Sequence, residues 1–417
     1  MQSSGLMRAQ ITTLIIATSL VQLANGFFGT FISLRVAIED FGPTMAGLVL
    51  SSYFAGFTLA AVYCGRIMEQ IGHIRGYAAF AGLVVAATAA MPLMVGSGAW
   101  LVLRAIVGFG CAGLFITTES WLNAKAQPAE RGRIFSIYMV GTFLALAVGQ
   151  LLIGHAEIET AAPFSAIVAL FAVALVMVST TRAEPPRATA TETLQYGELA
   201  RATPVAVVGC VVSGLISSAF YALVPAYMQD TGATRATISL FMLVAVLGGL
   251  AFQVPVGWLS DRFDRRLVLA ALGLGFAAIA VILVRLPRSL PVVLPTAILL
   301  GGFMSTLYPV CVSYAHDRMP ADRVVAVSGR LILLSGLGSV VGPLIGAELM
   351  GHFRIDGVFY FMAAAALFLA VLAASRSLTT AAPHRLERSF EILAPPAASL
   401  AHDPHDASDE PLSPVPG

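Results

Sequence analysis

The stretch Gly257-Trp258-Leu259-Ser260-Asp261-Arg262-Phe263-Asp264-Arg265-Arg266 lies between two long apolar segments. A weaker copy, Gly65-Arg66-Ile67-Met68-Glu69-Gln70-Ile71-Gly72-His73-Ile74-Arg75, lies between two others. Their leading glycines are about 192 positions apart, close to half of the 417-residue chain, a spacing that signals an internally doubled protein. Pro128-Ala129-Glu130-Arg131 recurs as Pro320-Ala321-Asp322-Arg323 at the same offset. Asp40-Phe41-Gly42 recurs as Asp230-Thr231-Gly232, displaced by about two residues, the size of an ordinary loop indel. Three matches in one order argue for duplication.

The apolar segments identify the solvent. With 58% hydrophobic and 11% charged residues and a mean hydropathy of +0.84, most of the chain belongs in lipid. Runs of about 20 apolar residues, enough to cross roughly 30 Å of hydrocarbon as helix, fill the sequence from Ile11 to Ala374. They are too long and too uniformly apolar for barrel strands. The sequence therefore predicts an all-α membrane protein of twelve transmembrane helices in two pseudo-symmetric six-helix halves. The spans are read at 11–37, 44–65, 76–97, 99–123, 132–156, 161–181, 204–229, 233–258, 267–286, 290–315, 324–350 and 357–376. The halves are 1–181 and 204–377; a linker at 182–203, rich in Pro, Thr, Ala and charge, joins them, and a disordered tail is expected at 378–417. The apolar stretch after Arg8 is too long for a signal peptide and reads as the first helix.

A net charge of +1 gives no reason to expect a nucleic-acid partner; the distribution of charge is more telling. With both termini in the cytoplasm, Arg66, Arg75, Lys125, Arg131, Arg133, Arg182, Arg187, Arg201, Arg262, Arg265, Arg266, Arg318 and Arg323 fall on that side, together with Arg376, Arg385 and Arg388 of the tail. The other side keeps Arg35, Arg235, Arg285, Arg288 and Arg354. This bias follows the positive-inside rule and predicts a multi-pass inner-membrane protein. Trp100 and Trp121, about 31 Å apart along the fourth helix, are expected at the two headgroup belts. Cys64, Cys111, Cys210 and Cys311 show no CxxC spacing and read as packing residues. The tail histidines His384, His402 and His405 are too irregularly spaced to suggest a metal site. No GxxxxGK[ST] and no Ser/His/Asp or Cys/His constellation is present, so neither an enzyme nor a cofactor is expected.

Glycine, three residues, Asp-Arg and then Gly-Arg-Arg/Lys, between the second and third helices of each half, resembles the signature loop of the major facilitator superfamily of secondary transporters. The second copy departs only at Asp264, where the family carries glycine; the first has Glu69 and Gln70 for the Asp-Arg pair but keeps Gly65, Gly72 and Arg75. Gly65 and Gly257 would let a neighbouring helix approach, and Glu69 and Asp261 can face a helix N-terminus. The resemblance implies that those helices belong to the opposite half, the eleventh for Glu69 and the fifth for Asp261. Such gates would break as the halves rock in alternating access. The other reading is that Arg262, Arg265 and Arg266 merely set topology.

Arg104-Ala105-Ile106-Val107-Gly108-Phe109-Gly110 resembles the Arg-x-x-x-Gly-x-Gly element on the fourth helix of many proton-linked members. Arg104, Gly108, Cys111, Phe115 and Glu119 share one helical stripe, with Glu119 about 22 Å from Arg104. A charge at such depth is costly unless it faces a cavity or a partner. Glu119 either takes up and releases a proton or pairs with Arg131 or Arg133. Arg104 binds an anionic substrate group, modulates the proton site, or ties helices together. Thr118-Glu119-Ser120-Trp121-Leu122-Asn123, followed by Arg131-Gly132-Arg133, resembles the poorly characterised YcaD-like branch. In this superfamily the first, fourth, seventh and tenth helices line the central cavity. That implies further candidates in Asn25, Tyr221, Tyr227, Tyr308 and Tyr314, with Tyr138 and Gln150 on the fifth helix; helix–helix glue is the other reading of each. Arg35, at the outer end of the first helix, is an entrance charge or an interface residue. Gly338-Ser339-Val340-Val341-Gly342-Pro343-Leu344-Ile345-Gly346 resembles an element that drug–proton antiporters carry on the fifth helix, but lies in the other half and reads as close packing.

The resemblance implies a monomeric secondary transporter of a small organic solute, coupled to H+, with symport and antiport both open. The alternatives are a drug/proton efflux pump within that class and, outside it, a transporter-like receptor or scaffold.

Overall fold

The computed structural model describes residues 2–126, 128–181, 196–287, 289–320, 323–352 and 354–379. Arg182, Arg187 and most of the linker, Arg288, the Ala321-Asp322 pair and the tail with Arg385, Arg388 and its three histidines lie outside the described residues.

Among the described residues thirteen α-helices run in order: α1 Gln2–Ile38, α2 Pro43–Ile71, α3 His73–Ala90, α4 Ser97–Lys125, α5 Pro128–Leu151, α6 Ala162–Ser179, α7 Tyr196–Ala202, α8 Pro204–Asp230, α9 Arg235–Arg262, α10 Arg265–Arg285, α11 Leu290–His316, α12 Val324–His352 and α13 Gly357–Thr379. A 3-10 turn, Leu152–His155, continues α5. All but the short α7 are long and apolar enough to cross a membrane, so the twelve spans of the sequence reading stand. Their ends differ. α2 runs past Gly65 to Ile71, because Met68, Glu69 and Gln70 are good helix formers although too polar for a hydrocarbon window. The break comes at Gly72, whose φ of 79° suits glycine, and α3 follows at once. α3 stops at Ala90 because Pro92 blocks a further turn.

The duplication persists at the level of single backbone contacts. α2 and α4 cross so closely that a Cβ on Gly56 would overlap the carbonyl oxygen of Ala105, and one on Gly108 that of Tyr53. In the second half α9 and α11 repeat this, with Gly248 against Ile298 and Gly301 against Ala245. α1 and α5 meet at Gly26 with Leu146 and at Gly149 with Leu23; α8 and α12 meet at Gly214 with Ser335 and at Gly338 with Val211. Each pair recurs about 188 to 193 positions later. In lipid there is no hydrophobic drive to bring helices together, so backbone-to-backbone packing at small residues takes its place. Gly338, Gly342 and Gly346 all face α8, which accounts for the glycine-proline element as a packing surface.

The halves meet along α2 with α12, α5 with α9, and α1 with α8. At the face of the bundle opposite the chain ends, hereafter the far face, the seam is tight. Gly47 touches Pro343 and Ala347, and Gly351 touches Pro43. Arg235 Nη1 donates to the Ala156 carbonyl at 2.9 Å, and Ser239 Oγ to the Gln150 carbonyl at 2.8 Å.

The expected aromatic belt needs correcting. Trp100 and Trp121 are both fully buried inside protein. Trp100 packs edge-on against Phe41 and Phe164 and donates to the Met91 carbonyl at 3.0 Å, so its indole N–H has no need of a headgroup. The four cysteines are free and buried, in line with their reading as packing residues.

Candidate functional site

Between the halves lies a cavity with about 1130 Å³ of empty space, its open mouth included. α1 contributes Gln22, Asn25, Gly26, Gly29 and Thr30; α2 contributes Leu50, Tyr53, Phe54, Phe57, Thr58 and Ala61. Arg104 of α4, with Leu146 and Gln150 of α5, completes the first half's wall. Across from them stand Ser217, Ser218, Tyr221 and Ala222 of α8 and Ile332, Gly336 and Ser339 of α12.

Among the described residues that line this space, Arg104 is the single charged one. It is 4% exposed, with its guanidinium carbon 4.6 Å from the centroid of Tyr53 and 5.1 Å from that of Phe28. Gly108, one turn further along α4, brings the α2 backbone against α4 and so sets the Tyr53 ring beside the cation. Tyr53 is steadied by donating its hydroxyl to Asn25 Oδ1 at 3.1 Å. Among the described residues no carboxylate pairs with Arg104, and its Nε is buried without a hydrogen-bond partner. Two aromatic faces contribute on the order of 2 kcal/mol each, against a desolvation penalty of several kcal/mol for a buried ion, and neither supplies the hydrogen bonds that water gave the guanidinium. The cation is therefore undercompensated when the site is empty. Gln22 Oε1 and Tyr221 Oη, also on the cavity wall, are buried without partners too. Two such atoms on the first half's wall and one across from them offer hydrogen bonds to a ligand held in this space.

Of the other candidates, Asn25, Gln150 and Tyr221 line the cavity. Gln150 also staples α5 to α1, accepting from Thr30 Oγ1 at 2.6 Å and donating to the Gly26 carbonyl at 3.0 Å. The tenth span, α11, contributes nothing to the wall; Tyr308 is buried in packing, and Tyr314 lies under the Arg318 guanidinium at 4.8 Å. Tyr227 donates to Asp356 Oδ1 at 3.0 Å and packs on Phe359, tying α8 to the start of α13. Tyr227→Phe should therefore lose about 1 kcal/mol of stability and leave ligand binding unchanged, a split that thermal unfolding and binding on one preparation would reveal. Arg35 binds Glu39 and donates to the Ile158 carbonyl at 2.8 Å, which makes it a clasp at the far face.

Glu119 lies off the cavity wall, 2% exposed, and its Oε1 accepts from Tyr138 Oη at 3.1 Å. Neither Arg131 nor Arg133 pairs with it; Arg131 Nε is buried without a partner and Arg133 is exposed. The residues that the sequence did not single out are Gln22, Thr30, Tyr53, Thr58, Ser217, Ser218 and Ser339. Tyr53 could have been found from the glycine that faces it; isolated Ser and Thr on apolar helices carry no such mark.

The gating contacts implied for the signature loops belong to a conformation closed on the cytoplasmic side, and the described conformation is sealed at the far face instead. Gly65 is exposed, and a Cβ there would meet nothing within 4 Å, so no helix approaches it in this conformation. Glu69 and Arg75 are exposed, and among the described residues Glu69 makes no hydrogen bond or ion pair. In the second copy Gly257 is buried, and the loop is wired into its own half. Arg265 bonds Asp261 at 3.3 Å and Asp317 at 2.8 Å, fastening α10 to the end of α11. Arg262 stacks on Trp258 at 4.2 Å. Arg266, 1% exposed, grips Asp264 at 2.6 Å and donates to the Arg376 carbonyl at 2.7 Å.

The Major Facilitator Superfamily profile matches residues 14–230 and again residues 205–404. The uncharacterised MFS-type transporter YcaD of Escherichia coli O7:K1 is 30% identical over 359 residues, 85% of this chain and 92% of its own. The protein of that name from Shigella flexneri is 30% identical over 356 residues with the same coverage. Among solved structures, the nucleoside transporter NupG superimposes with a TM-score of 0.74 at 13% identity, covering 89% of this chain and 100% of its own. A bacterial homologue of the human lysosomal transporter Spinster, inward-facing and unoccupied, gives 0.70 at 15% identity over 88% and 96%. A D-xylose–proton symporter gives 0.66 at 17% identity over 87% and 97%. At these identities the structural likeness speaks for the fold alone.

Proposed function

The chain belongs to the Major Facilitator Superfamily, and from that premise we propose that it is a secondary active transporter that carries a small organic solute through the cavity between its halves, driven by protons. The observation that carries this reading is the cavity itself. It lies on the seam between the duplicated halves and is walled by both. Rocking the halves about it gives alternating access, with the far-face seam closed in the present conformation. The positive-inside rule makes the far face the outer one and puts both termini in the cytoplasm, in the inner membrane. Since one chain supplies the whole cavity, a monomer suffices.

Glu119 is the proton site in this reading. A carboxylate buried among transmembrane helices is a functional group by default, and its Tyr138 hydrogen bond gives an exchangeable proton a defined neighbour. A nucleoside transporter and a sugar–proton symporter among the structural neighbours support solute transport as the general task.

The test uses purified protein in liposomes that enclose a pH-sensitive dye, with nucleosides, pentoses and aromatic acids added in turn. At least one class should drive proton movement in the wild type. Glu119→Gln should reduce that signal at least tenfold while exchange of labelled solute continues. Solute flux indifferent to an imposed gradient of about two pH units would rule out the proton.

A further inference from the structure

We infer that the transported solute is an organic monoanion with a flat apolar body, its acid group bound at Arg104 and its other end reaching Tyr221 across the seam. This rests on the transport reading above and names the substrate class for that cavity.

Four observations converge on it. A buried structural arginine would be expected to hold a carboxylate or a carbonyl, as Arg265 and Arg266 do in the loop at the start of α10. Arg104 holds neither, and its Nε faces no acceptor. The Tyr53 and Phe28 rings flank the cation without accepting a hydrogen bond from its Nε, which leaves that N–H to donate to a planar carboxylate.

The remainder of the wall sets the rest of the ligand. Leu50, Phe54, Phe57, Leu146 and Ile332 make it mainly apolar and aromatic, and among the described residues no acidic side chain lines it. A cationic solute would thus meet a like charge and find no counter-ion. The unpartnered Tyr221 hydroxyl on α8 offers a polar contact for the far end of a solute held at Arg104.

The duplication supplies the charge count. At the mirror crossing in the second half, Ala245 and Ala297 stand where Tyr53 and Arg104 stand in the first, beside the matching glycines Gly248 and Gly301. There is no second cation, so one negative charge is neutralised and a second would remain bare.

The full chain in lipid nanodiscs is tested with two matched pairs at neutral pH, phenylacetate with phenylacetamide and indole-3-acetate with indole-3-acetamide. Each pair differs by one charge at nearly constant shape. The acids should bind at least tenfold more tightly than the amides in the wild type. Arg104→Gln should abolish that preference, and Arg104→Lys should retain part of it. The wild-type comparison decides even if a variant fails to fold. Amides that bind as well as acids, acetate or chloride that binds as well as the aromatic acids, or no binding by any of the four would overturn the proposal. Binding of the acids with no flux into liposomes would sink the transport reading and keep this one. Proton-driven flux of neutral solutes, with the acids excluded, would do the reverse.

Discussion

Replacing Gly108 by valine should cost at least about 3 kcal/mol of stability, the upper part of the range for overpacking a close contact. The obstacle is backbone. A Cβ at Gly108 would overlap the Tyr53 carbonyl oxygen, and the reciprocal overlap of Gly56 with the Ala105 carbonyl holds the same two helices together one contact away. Neither atom can rotate aside, so α2 and α4 would have to separate along their whole crossing. Packing is what associates these helices in lipid, so separation removes the force that holds them. Gly301→Val, the mirror substitution against Ala245, should cost as much. Gly65→Ala is the control: it has open space around it within α2, and alanine should be neutral or add up to about 1 kcal/mol there. Thermal unfolding in detergent separates the three. Equal melting of Gly108→Val and wild type would show that the crossing is looser than drawn.

The second large effect is expected at Asp264, the position where the family's signature has glycine. Here the aspartate caps α10, accepting from the Arg266 N–H at 2.9 Å, and grips the Arg266 guanidinium through both oxygens. Asp264→Ala removes the cap and the carboxylate that pairs with a cation only 1% exposed. Breaking a buried pair costs roughly 3–5 kcal/mol; with Asp264 itself 19% exposed, a loss of about 3 kcal/mol is expected. The pH dependence has a definite sign. Burial pushes the Asp264 carboxyl up, but the Arg266 bonds, with help from the nearby Arg318 charge, outweigh it and hold it below the usual carboxylate range. A depressed folded-state value means the contribution is complete above the ordinary Asp pKa of about 3.9 and is lost as pH falls through the lowered one. The stability gap between wild type and Asp264→Asn should therefore stay flat from about pH 8 to pH 5 and narrow in stronger acid. A gap that instead grew on acidification would contradict the pairing.

The twelve spans, the doubling and the family were legible because each is written in many residues at once: apolar length, repeated glycines, a charged loop between helices. Arg104 was legible for a related reason, since a lone cation in an apolar run has few innocent explanations. Tyr308, Tyr314 and Tyr227 misled because helix number alone does not say which face of a helix meets the cavity. The role of Gly65 is not visible because the loop motif describes a closed cytoplasmic gate, whereas the described conformation is sealed at the other face. Tyr53 was missed because its role arises from a neighbour about 55 positions away, where Gly108 draws it against Arg104.

That Arg104 is the one charge on the cavity wall has an electrical consequence. With Glu119 protonated, the Arg104 site loaded with a monoanion is neutral as it changes sides, and empty it carries a full positive charge through whatever fraction of the field it crosses. A potential of 100 mV acts on a whole charge by about 2.3 kcal/mol. An interior-negative membrane therefore holds the empty site inward and slows its return, while leaving the loaded crossing untouched. Swapping one anion for another avoids the empty crossing altogether. Voltage should thus oppose the return of an empty site that keeps the Glu119 proton, favour release of that proton before the return, and be silent in exchange.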